Sequence, residues 1–295
     1  MKKYKARLTL KMENELGEGP MWHPYTGQLY WVDILKGYIY LYDPIKNEVG
    51  SFQSEKYISA LVPTSDGKLI AALQNEIVKV DITTGEINKL MDIERSLEHN
   101  RCNDGKCDSR GRFWIGTMHI EALPEQGALY RINHDHSVEK MLAHLTISNG
   151  MGWSPDDREM YFIDSFDRCI RSFDFEPGRG AISNEKICIP IKGTQALPDG
   201  MCVDTEGNLW IAFWGGGRVG GYHPKTGEHI ADIEVPAQNV TSCCFGGADG
   251  QTLYITTARA GLSKKELEQN PLSGSLFSCR MPVKGLRANC FEILS

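Results

Sequence analysis

Gly27-Gln28-Leu29-Tyr30-Trp31-Val32-Asp33 opens on a turn and continues in residues of strand-forming type. The design returns as Asp66-Gly67-Lys68-Leu69-Ile70-Ala71-Ala72 and as Arg110-Gly111-Arg112-Phe113-Trp114-Ile115-Gly116. It returns again as Asp157-Arg158-Glu159-Met160-Tyr161-Phe162-Ile163, Glu206-Gly207-Asn208-Leu209-Trp210-Ile211-Ala212 and Asp249-Gly250-Gln251-Thr252-Leu253-Tyr254-Ile255. Measured between Leu29, Leu69, Phe113, Met160, Leu209 and Leu253, the steps are 40, 44, 47, 49 and 44 residues. A second strand follows in every unit, as in 38–44, 77–81 and 128–132, and further strands are plausible at 50–52, 87–90, 138–142 and 229–233. A recurrence of this length with about four short strands per unit is the signature of a β-propeller blade. The chain is therefore expected to be all-β, a six-bladed β-propeller, with residues 1–295 in one domain. A two-sheet sandwich would also show many strands, but not a six-fold recurrence. The alternating stretch 4–11 is expected to pair with the last blade, because an open ring would expose sheet edges. One short helix is expected near 263–268, where Ser263 and Glu266 have capping-box spacing.

Composition limits the function classes. Hydrophobic content of 41% and charged content of 24% are those of an ordinary soluble globular protein. A formal charge of −6 argues against a nucleic-acid surface, which needs clustered Lys and Arg. Lys2, Lys3 and Lys5 read as a solvated terminus. No apolar run is long enough for a signal peptide or a membrane span. Nine Cys without framework spacing read as reduced thiols, and the expected location is the cytoplasm. No zinc-ligand spacing is present, and His134 and His136 read as part of a solvent-exposed turn. Trp22, Trp114 and Trp153 are expected to pack between blades.

Four polar stretches keep step with the recurrence. They are Leu16-Gly17-Glu18-Gly19-Pro20-Met21-Trp22, Arg101-Cys102-Asn103-Asp104-Gly105, Ser148-Asn149-Gly150-Met151 and Pro198-Asp199-Gly200-Met201. Glu18, Asn103, Asn149 and Asp199 each lie 10 or 11 residues before their unit's aligned residue. Ser59 and Ser242 hold the same position in the two remaining units. Equivalent positions on the innermost strands of a propeller face one another across the channel. Two carboxylates and two amides brought together there need a partner, and a cation supplies one. All-oxygen ligands suit Ca²⁺, Mg²⁺ or Mn²⁺. The competing reading takes Asn149-Gly150 and Asp199-Gly200 as turn dipeptides. Asp104 reads either as a carboxylate supporting the cation ligands or as the cap of a turn, and the turn role is preferred. Arg101, two residues before Asn103, can face the same side of an extended strand.

The stretches L-G-E-G-P-x-W (16–22), N-R-x-N-D-G (100–105), S-N-G-x-x-W (148–153) and P-D-G-M (198–201) resemble the senescence-marker-protein/gluconolactonase/luciferin-regenerating family, and the segment 214–219 adds to the likeness. The resemblance implies a six-bladed propeller whose channel holds one divalent metal ion (Ca²⁺, Mg²⁺, Mn²⁺ or Zn²⁺). It matches Glu18, Asn149 and Asp199 to the metal ligands, and Arg101, Asn103 and Glu121 to the residues that hold a sugar lactone. The function it implies is metal-assisted hydrolysis of a sugar-acid lactone, with Asp199 also serving as general base. The other readings are a phosphotriesterase-like hydrolase on the same scaffold, a calcium-binding regulatory protein without turnover, and a protein-interaction platform. The expected partner is a small sugar lactone, with no nucleic acid or membrane, in a monomer or homodimer.

Overall fold

In a computed structural model, residues 1–292 are described. The strands form six sheets that follow one another along the chain. The first blade runs outward from Gly17–Trp22 through Leu29–Asp33 and Tyr38–Asp43 to Glu48–Gln53. The other inner strands are Ile58–Pro63, Asn100–Cys107, Ser148–Trp153, Leu197–Val203 and Asn239–Gly246. Each packs against the inner strands of the blades before and after it, and the sixth returns to the first. The result is the six-bladed propeller that the recurrence predicts.

The ring is closed by the start of the chain. Arg7–Leu10 pairs antiparallel with Leu276–Arg280 and supplies the outer strand of the sixth blade, as expected. Tyr4 and Lys5, which the alternation assigns to the last blade, belong instead to the separate strand Lys2–Lys5. It adds to the fifth blade as a fifth, parallel strand, with Lys2 opposite Ala231 and Lys5 opposite Glu234. The lysine side chains remain exposed, so the terminus is solvated on its surface while its backbone is bonded. Together the two strands tie blades five and six.

The core lies between the blades. Six apolar clusters each join two neighbouring sheets, for example Val32, Leu61, Ala71 and Val80 between the first and second. The second strands are almost wholly buried, Leu29–Asp33 throughout, so most of their residues are apolar on both faces. The tryptophans pack as anticipated: Trp22 stacks on Tyr254 at 5.8 Å and Trp114 meets Trp153 edge-on at 5.9 Å. A buried carboxylate locks two of the tight turns that open the second strands. Asp108 accepts from the amides of Arg110 and Arg112 and from Trp114 Nε1. Asp204 does the same for Glu206, Asn208 and Trp210. The helix is Lys264–Gln269, capped by Ser263, whose own amide is bonded by Glu266. All nine cysteines are free thiols. Among the described residues, no helix is long and apolar enough to cross a membrane.

Candidate metal centre

Each inner strand breaks register with its neighbour at one level. The interruptions fall between Glu18 and Met21, Ile58 and Ala60, Cys102 and Gly105, Ser148 and Met151, Pro198 and Met201, and Val240 and Ser242. A bulge re-aims the side chains it carries, and bulges of this kind favour functional sites. Here all six fall on the residues that kept step with the recurrence. Gly150 and Gly200 lie inside strands rather than turns. A side chain at Gly150 would stand 2.6 Å from the Asp199 carbonyl, and one at Gly200 would stand 2.1 Å from Ser242 Oγ. Both glycines are needed for the close approach of neighbouring inner strands, and the turn reading fails for them.

The layer is buried and short of partners. Glu18, Arg101, Asn103, Asp104, Asn149 and Asp199 are all buried. Among the described residues, Asn149 Oδ1, Asp199 Oδ1, Asp104 Oδ2, Ser59 Oγ and Ser148 Oγ have no hydrogen-bond partner. Buried polar atoms are normally satisfied, so this cluster of orphans at one level offers acceptors that a cation or a water could use. Asn149 donates Nδ2–H to Ser165 Oγ at 3.0 Å, which leaves its amide oxygen turned to other use. Asn103 is held by the protein at both ends: Oδ1 accepts from Arg101 Nη1 at 2.7 Å and Nδ2 donates to the Ser148 carbonyl at 2.9 Å. Arg101 Nη1 also donates to the Cys102 carbonyl at 2.9 Å.

The electrostatics show the same convergence. Burial, with the charge of Asp104, pushes the Glu18 carboxyl up to about 8 against the relief given by the Gly19 amide, Arg101 and Lys106. Burial, then the charges of Glu18 and Asp104, holds Asp199 well above the carboxylate range, although the Asn149 and Gly200 amides oppose this. Burial also raises Asp104. It lowers the Arg101 guanidinium to about 10, while Glu18 and Asp199 support its charge. Three carboxyls thus share one buried layer, beside one guanidinium.

This has a measurable consequence. A carboxyl whose folded value is raised binds more protons in the fold than in the unfolded chain, so stability falls as pH rises. In chelator, unfolding free energy is expected to decrease between pH 4.5 and about 8, the window set by Glu18. Denaturant titrations at pH 5 and pH 8 test this; a flat or rising profile would show that the carboxyls are not held protonated.

Sequence reasoning misplaced one residue and missed another. Asp104 does not cap a turn. It lies within the inner strand Asn100–Cys107, accepting from the Gly105 amide at 2.7 Å through Oδ1 and leaving Oδ2 unpartnered. Lys106, unremarked in the sequence, reaches the same channel, and the even spacing from Asp104 was the only available signal. Glu121 stands apart from the buried set. It is exposed, in the turn after the strand Phe113–His119, at the end of the channel where Arg101 enters.

A model of the SMP-30/gluconolactonase/LRE-like region matches residues 16–259. The chain belongs to this family. Its relatives include regucalcin of Danio rerio, 35% identical over 97% of this chain and 98% of that one. A Bacillus subtilis protein named "Putative sugar lactone lactonase YvrE" is 36% identical over 92% of each chain. Among solved structures, the calcium-binding protein regucalcin from Agrobacterium tumefaciens superposes with a TM-score of 0.95 at 29% identity, over 99% of both chains. A luciferin-regenerating enzyme gives 0.91 at 28% identity, over 98% of this chain and 100% of that one. The SMP-30/gluconolactonase/LRE-like fold thus spans the propeller described above, including its inner strands.

Proposed function

We propose that the protein is a metal-dependent hydrolase that opens sugar-acid lactones to aldonates. The observation that carries this reading is the set of unpartnered buried oxygens on Asn149 and Asp199, beside a Glu18 carboxyl pushed up to about 8. Such a set fits a hard divalent cation: Glu18, Asn149 and Asp199 offer oxygen only, and the two carboxylates balance its charge. A cation held there would supply Lewis-acid polarisation of the lactone carbonyl. The family and its lactonase-named relative support the substrate class.

The chain's own residues would do the rest. Arg101 uses only Nη1 within the described protein, so Nε and Nη2 remain to orient a ring or carbonyl oxygen. Asn103 fixes that guanidinium and is in turn fixed by the Ser148 carbonyl. Glu121, exposed at the rim, would accept from a sugar hydroxyl. Asp199 would take a proton from water as the water oxygen bonds to the carbonyl carbon. The bond from that carbon to the ring oxygen then breaks, and the ring oxygen leaves with the proton as a hydroxyl.

The test is a panel of hexonolactones, pentonolactones and a phosphotriester assayed with Ca²⁺, Mg²⁺, Mn²⁺ and Zn²⁺. Turnover of a sugar lactone at a rate well above the phosphotriester is expected. Preference for the phosphotriester would replace the substrate class. Cation binding without turnover of any substrate would favour a regulatory binding protein, the reading that the calcium-binding neighbour suggests.

A further inference from the structure

The polar layer lies near the start of the inner strands, and Arg101 is the second residue of its own. Trp22, Pro63, Cys107, Trp153 and Val203 end theirs. These ends border a cavity of about 420 Å³, at the mouth of the channel opposite Arg101. Small-molecule sites usually measure roughly 300–1,000 Å³. Residues 286–289 cross this mouth. The Leu286 amide donates to the Val203 carbonyl at 3.1 Å, and Asn289 Nδ2 donates to the Cys107 carbonyl at 3.3 Å.

The walls differ from the polar layer above. Trp22, Leu61, Met151, Trp153, Phe245 and Leu286 give them an apolar surface. A ligand covered in hydroxyls would lose its hydration there without replacement, so the cavity suits another chemical class than a sugar lactone. One cation stands in the apolar wall. Lys106 is half-buried, and its Nζ donates to the carbonyl of Met151 at 3.2 Å and to the carbonyl of Met201. An ammonium carries three donors, so one is left. Both partners are neutral, and none of the ion pairs among the described residues includes Lys106. Arg287, exposed at the mouth, adds a second positive charge. The acids of the wall are turned to other use: Asp104 accepts from the Gly105 amide and buries its other oxygen, and Asp157 accepts from Ser109 Oγ.

We propose that this cavity binds a small apolar monocarboxylate, whose carboxylate accepts the remaining N–H of Lys106 while its hydrocarbon part packs along Trp22, Leu61, Trp153 and Phe245. A charge-assisted bond at the inner end and apolar burial along the walls would together select such a ligand over a neutral or a polyhydroxylated one.

Calorimetric titration with octanoate and with phenylpropionate tests this, with octanol as the neutral counterpart. The titrations are run in chelator, so their outcome depends neither on the metal centre nor on lactone turnover. Wild type is expected to bind one molecule of at least one acid per chain, at least about tenfold more tightly than octanol. Lys106→Met is expected to abolish that preference and leave octanol affinity within about threefold of wild type. Leu286→Glu, an exposed change at the mouth, is expected to weaken the acid at least about threefold through like charge, and it locates the ligand even if Lys106→Met does not fold. Binding of neither acid by wild type would overturn the proposal. So would equal affinity for acid and alcohol, or acid affinity that no folded variant changes.

Discussion

Replacing Asp199 by Asn is expected to lower kcat for lactone hydrolysis by at least about 10³-fold, since it removes both a proton acceptor and a proposed anionic ligand. The fold should survive. Asp199 Oδ1 has no partner among the described residues, and burial with two neighbouring carboxyls already disfavours its charge. The amide is isosteric and relieves that repulsion. Steady-state kinetics with circular dichroism on the same preparation check the prediction. Activity within tenfold of wild type would remove Asp199 from the reaction.

Glu18→Gln is expected to separate stability from function. At pH 8.5 in chelator the variant should be more stable than wild type, by about 2 kcal/mol or more, because a carboxyl pushed up to about 8 no longer has to ionise in a buried layer. Its affinity for the divalent ion should fall by about 10²-fold or more, since losing a direct ligand costs at least what losing a supporting residue does. Denaturant unfolding measures the first effect and calorimetry the second. A variant less stable than wild type in chelator would mean that the Glu18 charge supports the fold, through Arg101 or the Gly19 amide, rather than burdening it. This is the trade expected where a site is kept strained for binding.

The architecture was legible because burial writes itself into residue type. Leu29–Asp33 and its counterparts are covered on both faces, so each appears as a short, mostly apolar run 40 to 49 residues after the last. The polar layer was legible through its constant offset from those runs. Asp104 was misread for a local reason: Asn103-Asp104-Gly105 has turn composition, and the chain instead spends it on a bulge inside a strand. Nothing within five residues distinguishes the two. Lys106 escaped notice because its partners are the backbone carbonyls of Met151 and Met201, which carry no side-chain signature. The parallel strand Lys2–Lys5 was hidden likewise, since its pairing to Ala231–Glu234 runs through the backbone while its side chains look like a solvated tail. Glu121 came from family likeness alone, since an exposed residue in the turn after Phe113–His119 carries no local signal of its own.

One channel layer, built by Glu18, Asn149 and Asp199, is proposed to bind a cation and turn over a sugar lactone. Its most direct test is hydrolysis of hexono- and pentonolactones by chelator-stripped protein, followed by return of Ca²⁺, Mg²⁺, Mn²⁺ or Zn²⁺ one at a time. The prediction is no turnover in chelator and recovery with at least one ion, saturating near one ion per chain. Lactone turnover that persists undiminished in chelator, or that no ion restores, would contradict it.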